Sequence, residues 1–265
     1  MRQVIRAEFR RLLAARMWAM TLVVAALLGG GLLGVLALVG PENFTPPMPG
    51  LDTETGVRSV LGIVGFTAFV PAALGTVAIT GEYRHRTIAV TFLFAPRRWQ
   101  VLTAKLVVYG AAGLAYGVVL AGTAAVGLFG AAALRGVTLG VPVGAVLGLL
   151  ARIGLTMVAY LLLGVAVGAL LRNQIAALSV VVGYLYLGEA LLMMIPGVNL
   201  AYPFLPGGAT AALTNYTYLA DAMAEQLATR PVHLLSPVAG ALLMLAYTLA
   251  ASAVAVLVPL RRDVT

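Results

Sequence analysis

Six stretches of the chain are long, apolar and almost free of charge. They cover about 17–39, 59–80, 106–134, 151–171, 175–195 and 237–260. An α-helix rises 1.5 Å per residue, so about 20 residues cross the roughly 30 Å hydrocarbon core of a bilayer. Each stretch reaches that length, and we therefore predict an all-α integral membrane protein with six transmembrane helices in a single domain, 1–265.

The composition supports a membrane protein over a soluble one. Hydrophobic residues make up 62% of the chain and charged residues 10%, with a mean hydropathy of +1.02. A soluble domain carries about 25% charged residues. The net charge of +8 would suit nucleic acid in a soluble protein. Here the basic residues flank apolar spans and do not alternate with aromatic ones, so no nucleic-acid partner is predicted.

Basic side chains are distributed unevenly between the two faces of this predicted topology. Thirteen of the 17 lie before the first span, in the loop 81–105, at Arg172, and at Arg261 and Arg262. Arg58, Arg135 and Arg230 lie on the other side. By the positive-inside rule, both termini and the loop 81–105 face the cytoplasm. The bias toward Ala, Val, Leu, Gly and Arg is typical of a high-GC bacterium, so we expect the bacterial plasma membrane.

Residues 1–16 have the pattern of an amphipathic helix on the membrane surface. The apolar positions Ile5, Phe9 and Leu12 recur at helical spacing, and Arg2, Arg6 and Arg10 follow on a neighbouring face. This arrangement directs basic groups toward lipid headgroups.

Three segments are predicted on the outer side. Residues 40–58 are rich in proline and acidic residues. The segment 136–150 is apolar but interrupted by glycine and proline, and we place it in the outer interface. Residues 196–236 form the largest outer segment, with helical spacing over 209–229.

The loop 81–105 is a polar, basic island between two apolar spans. Its apolar centre, 87–96, is too short to cross a bilayer. Pro96 disfavours helix before it and suits the first turn of a new helix. We therefore predict a short surface helix over about 82–94 at the inner face.

Several kinds of chemistry are missing from the sequence. A phosphate-binding P-loop needs a lysine after its glycines, and the only lysine, Lys105, lies in the apolar context TAKLV. The chain has no Cys and only two His, His85 and His233. We therefore predict no enzyme activity, no cofactor and no metal site in this chain.

Arg152 and Glu189 are the two ionisable residues predicted within or near the bilayer. A charge there is costly, at about 3 kcal/mol on insertion scales, so it needs a partner, water or a function. Two interpretations stay open. In one, the residues are structural, either paired between adjacent spans or with Glu189 reaching water. In the other, they are candidate gate or pathway residues.

The loop carries a resemblance to a known family. Residues 82–88 (EYRHRTI), 95–98 (APRR) and 104–105 (AK) resemble the cytoplasmic loop of type-2 ATP-binding cassette (ABC) export permeases. The N-terminal helix with Glu8, Arg16 and Trp18 resembles the elbow helix of that family. Residues 170–173 (LLRN) resemble its turn between spans 4 and 5, and 205–209 (LPGGA) its outer motif. Arg86 departs from the pattern, which often has a small residue there.

The resemblance implies a cytoplasmic ABC ATPase subunit that binds ATP and magnesium and docks on a coupling helix between spans 2 and 3. The ATPase-coupling residues would be Glu82, Tyr83, Arg84, His85, Arg86, Thr87, Pro96, Arg97 and Arg98. The resemblance also implies a dimer with a second permease copy or a paralogue. Since few polar side chains lie in the spans, the expected cargo is an amphipathic drug, lipid or peptide.

Two other classes are kept as alternatives. An ion-coupled secondary transporter using Glu189 would want carboxylates near the midplane and repeated halves, and the sequence offers one such carboxylate and no evident repeat. A membrane-embedded enzyme would need a reactive constellation, which the sequence lacks.

Overall fold

The computed structural model describes residues 1–44, 47–85, 87–88, 91, 97–195, 197–214, 216 and 233–257. Within these ranges the chain forms helices, turns and short connections, with no β-strand. The predicted outer helix over 209–229 lies mostly outside the described residues, as do Arg261 and Arg262.

Nine α-helices organise the described part of the chain. They are α1 (Arg2–Ala14), α2 (Arg16–Val39), α3 (Glu54–Arg84), α4 (Arg98–Arg135), α5 (Val143–Leu171), α6 (Gln174–Gly183), α7 (Glu189–Met193), α8 (Pro206–Thr214) and α9 (Pro237–Leu257). A π-helical turn lies inside α2 at Leu27–Leu32, and another at Tyr184–Gly188 separates α6 from α7.

Five of these helices are long and apolar enough to cross a membrane, counting only described residues: α2, α3, α4, α5 and α9. The chain is therefore a multi-pass α-helical membrane protein. The predicted fifth span, 175–195, corresponds to α6, the π-turn and α7, and its continuous α-helical part is too short to count among the five. The presence of six membrane-spanning helices therefore remains a prediction.

The boundaries of two spans differ from the prediction. Helix α4 begins at Arg98, before the predicted start at 106. Helix α5 begins at Val143, so residues 143–150 are helical and do not form a separate interfacial segment. Pro142 occupies the N-cap position of α5. A proline there starts a helix, and the glycines that follow each cost only about 1 kcal/mol in helix propensity.

Helix α3 is interrupted near its middle. A 3₁₀ turn at Phe66–Ala68 precedes Pro71. Because proline has no N–H, the carbonyl of Thr67 cannot receive the usual hydrogen bond from the residue four positions later. The helix tightens at this point and continues to Arg84.

Helix α5 is the centre of the bundle, and it packs against α3, α4 and α9. Glycines allow the closest approach between α3 and α5. A Cβ atom on Gly75 would lie 1.9 Å from the Leu161 carbonyl oxygen, and one on Gly164 would lie 2.0 Å from that of Ala72. Helices α1 and α2 pack along α4.

An ion pair joins the ends of α2 and α4. The Arg135 guanidinium binds the Glu42 carboxylate and donates to the Ala37 carbonyl at 3.1 Å. Both charged groups lie outside the apolar spans, and the pair closes the predicted outer end of the two helices.

We expect this closure to weaken in acid. The pKa of Glu42 is lowered by a hydrogen bond from its own backbone amide and, to a smaller extent, by Arg135, while burial opposes the shift. A lowered pKa in the folded state adds stability above the ordinary carboxyl range, and that stability is lost as the pH falls through the lowered value. At neutral pH, wild type should therefore be more stable to thermal unfolding than Glu42→Gln. The difference in the free energy of unfolding should be less than about 1 kcal/mol, because the pair is largely exposed. This stability difference should vanish well below pH about 4. A difference that stays the same at every pH would contradict this account.

Candidate functional site

A cluster of four charged side chains joins three helices beside the loop 81–105. Lys105 of α4 is completely buried. Its ammonium nitrogen lies 2.8 Å from a carboxylate oxygen of Glu8 in α1, and it also binds the carboxylate of Glu82 in α3. It lies 3.4 Å from the carbonyl oxygen of Ala78 as well.

Arg11 completes this charge cluster (Glu8, Arg11, Glu82, Lys105). Its Nη1 lies 2.6 Å from Glu82 Oε1 and 3.5 Å from Glu8 Oε1. The Thr91 hydroxyl donates to the second Glu82 oxygen at 3.1 Å. Two carboxylates and two cations therefore balance in charge, and Arg11 is half exposed, so it connects the buried part of the cluster to solvent.

The local sequence explains how α1 reaches this position. Glu8, Arg11 and Leu12 follow i, i+3, i+4 spacing, which puts them on one face of the helix. Leu12 is buried against Val108 and Ala112 of α4. The same apolar contact that docks α1 onto α4 thus brings Glu8 next to Lys105.

The charge cluster holds the two ends of the loop together. Removing one partner of a buried ion pair leaves an uncompensated charge and typically costs about 3–5 kcal/mol. Glu82 and Lys105 lie near the two ends of the loop 81–105, Glu82 in the last turn of α3 and Lys105 near the start of α4. The base of the loop is therefore fixed to α1 as well as to the two flanking helices.

Glu82, predicted to be an ATPase-coupling residue, lies inside this cluster. Its side chain is buried, and its carboxylate binds Lys105, Arg11 and Thr91. Its position in the fold therefore suits holding the loop in place. Tyr83 is half-buried beneath Arg172, whose guanidinium carbon lies 5.7 Å from the centre of the Tyr83 ring.

Four other predicted coupling residues are exposed. Arg84, His85, Thr87 and Arg97 all lie at the surface. Arg84 contacts Gln174 at 3.5 Å, so the turn between α5 and α6 lies beside the start of the loop. We call Arg84, His85 and Arg97 the exposed loop residues.

Part of the predicted coupling helix over about 82–94 lies outside the described residues, as do the predicted coupling residues Arg86 and Pro96. Its predicted start differs from the structure, because Glu82, Tyr83 and Arg84 are the last residues of α3. Arg98 is the first residue of α4.

A cavity of about 150 Å³ lies in the other half of the bundle. Residues 62–69 of α3 form one wall, roughly 20–30 Å along the helix from Glu82 at 1.5 Å per residue. Tyr160 of α5, Glu189 of α7 and Gly207 of α8 form others.

Glu189 caps the start of α8 from within this cavity wall. Its Oε1 accepts a hydrogen bond from the Gly207 backbone N–H at 2.9 Å. Residue 207 has to be small, since a Cβ there would lie 2.0 Å from Glu189 Oε2.

The structure does not bring Arg152 to Glu189. Arg152 is exposed on α5, whereas Glu189 is buried. Among the ion pairs between described residues, neither of the two takes part. The predicted pair between Arg152 and Glu189 is therefore not formed in the part of the chain that the structure describes. Of these two residues, Glu189 lines the cavity and Arg152 does not.

The charge cluster was missed at the sequence level, although a signal for it exists. A lysine within an apolar helix needs an acidic partner, and only Glu8, Glu82 and Asp263 are acidic on the predicted inner side. Two of those three bind Lys105.

Comparison with known proteins adds no identification, since no protein family and no curated protein matches this sequence.

Proposed function

We propose that this chain is the membrane-spanning permease subunit of an ATP-driven exporter. It would form the path of the cargo and receive motion from a separate ATPase subunit through the loop 81–105. The observation that best supports the proposal is the buried charge cluster, because it fixes both ends of that loop to each other and to α1.

The cluster suggests how movement would pass from the loop to the membrane. A force on the exposed loop residues would reach a base held by Glu82 and Lys105. Separating these groups would leave charges buried without partners, which is unfavourable by several kcal/mol. Helices α1, α3 and α4 would therefore move with the loop as a unit.

The remaining parts of the proposal follow from the sequence. The chain lacks a P-loop, so ATP and magnesium would bind to the partner subunit. A second permease copy or a paralogue would complete the cargo path in the bacterial plasma membrane, with both termini in the cytoplasm. The cargo would be an amphipathic drug, lipid or peptide.

Neutralising Arg84 and Arg97, two of the three exposed loop residues, should uncouple the complex. We expect Arg84→Ala combined with Arg97→Ala to lower ATP turnover or co-purification of the ATPase by about tenfold, which corresponds to about 1.4 kcal/mol of docking energy. Membrane insertion should not change, because both side chains are exposed. Co-purification from the native host followed by an ATPase assay measures the effect.

Arg58→Ala combined with Arg152→Ala is the matched control. It removes a partly exposed arginine, Arg58, and an exposed one, Arg152, which the predicted topology places on or near the outer side, and it should leave ATP turnover unchanged. Equal loss in both double variants would point to a general charge effect and contradict docking at the loop. Transport that continues under complete ATPase inhibition would favour the ion-coupled alternative using Glu189.

A further inference from the structure

The cavity beside Glu189 contains a buried carboxylate that has no cationic partner among the residues the structure describes. Among the described residues, the buried carboxylates are Glu8, Glu82 and Glu189. The first two bind Lys105, but no described cation pairs with Glu189. The hydrogen bond that its Oε1 accepts comes from a neutral group, the Gly207 N–H.

Neutral donors satisfy part of the hydrogen-bonding capacity of this carboxylate but do not balance its charge. A carboxylate can accept about four hydrogen bonds. An unbalanced charge in an apolar surrounding is strongly unfavourable, and a cation placed directly beside it offsets part of that penalty. The cavity offers the space for such a cation directly against Glu189.

Aromatic rings form much of the remaining wall. Phe66, Phe69, Tyr160, Tyr202 and Tyr216 all line the cavity. The rings of Phe66 and Tyr216 meet edge to face, with centroids 6.3 Å apart. Aromatic faces attract organic cations through their quadrupole, and several such rings around one site are typical of quaternary ammonium recognition.

The size and the opening of the cavity limit the ligand. About 150 Å³ is the volume of a cavity that holds benzene, so a headgroup fits and a long chain does not. Phe66 and Phe69 are 46% and 38% exposed, so the wall they form reaches the surface of the chain. An apolar tail would leave the cavity along these two rings.

We infer that this cavity is a binding site for amphipathic organic cations, with Glu189 as the counter-ion and the aromatic wall around the headgroup. As an assignment of cargo, the inference rests on the proposed export function. Binding itself needs neither ATP nor the ATPase, so the inferred binding site and the proposed export function can fail separately.

The test is equilibrium dialysis of tritiated benzyltrimethylammonium against the purified full chain in nanodiscs, without an ATPase. Wild type should bind the cation saturably. Its neutral carbon isostere, neopentylbenzene, should compete at least tenfold more weakly. Glu189→Gln keeps a carbonyl acceptor for the Gly207 N–H but loses the charge, and we expect at least tenfold weaker binding of the cation.

A second variant keeps the test decisive if Glu189→Gln does not fold. Gly65 lines the cavity, and a Cβ atom there meets nothing within 4 Å, so Gly65→Leu should fill the space and abolish binding. Gly122→Leu also meets open space but lies outside the cavity wall, and it should bind like wild type. No saturable binding to wild type, or equal binding of the cation and its neutral isostere, would overturn the inference.

Discussion

Lys105→Met is expected to destabilise the chain by about 3–5 kcal/mol, although the new side chain is apolar and of similar length. The variant leaves the carboxylates of Glu8 and Glu82 buried near each other, with only the half-exposed Arg11 to balance them. Uncompensated buried charge is the source of the penalty. Unfolding of the purified chain in mild detergent, followed by the fluorescence of Trp18 and Trp99, measures it.

Two further variants identify the cause of the loss. Glu8→Gln and Glu82→Gln, added to Lys105→Met, remove both uncompensated charges and should recover at least half of the lost stability. Arg58→Met breaks an exposed pair with Glu54, whose atoms lie 2.6 Å apart, and should cost less than about 1 kcal/mol. Failure of the triple variant to recover would show that Lys105 acts through packing alone.

Gly164→Leu is expected to separate α3 from α5 and to cost about 3 kcal/mol or more. The added Cβ would lie 2.0 Å from the Ala72 carbonyl oxygen, and a backbone atom cannot rotate away. Overpacking of a tight contact usually costs about 1–3 kcal/mol, and here the whole helix interface has to open. Denaturant titration of the purified variant gives the magnitude.

Gly148→Leu lies on the same helix and serves as its control. A Cβ atom at Gly148 meets nothing within 4 Å. Because leucine favours helix over glycine by up to about 1 kcal/mol, this variant should be as stable as wild type or slightly more stable. Comparable losses in both variants would mean that glycine itself, and not the close approach to Ala72, is required in α5.

Hydrophobic length predicted most of the membrane fold. The first span was expected over 17–39, and α2 covers Arg16–Val39. The sequence predicts a fourth span that starts at 151, because Pro142 and several glycines before that position are typical of an interrupted helix. In the structure Pro142 is instead the N-cap of α5. Apolar composition alone does not distinguish a proline that begins a helix from one that breaks it.

The sites were less predictable than the spans. The sequence singled out Glu82, Lys105 and Glu189, but it did not show that the first two meet at Glu8, which lies 97 residues before Lys105 along the chain. Contacts between distant residues depend on which faces of α1, α3 and α4 pack together. The same is true of the cavity, whose walls come from segments as far apart as Gly62 and Tyr216.

The central claim is that a separate ATPase drives this chain through the loop, and site-directed cross-linking tests it most directly. The chain has no Cys, so one cysteine can be introduced at a time. His85→Cys and Arg97→Cys, treated with a bifunctional maleimide in native membranes, should each give an adduct whose second protein carries a P-loop by mass spectrometry. Arg58→Cys should give no such adduct. If neither loop position captured a P-loop protein, or if Arg58→Cys captured the same one, the account would be contradicted.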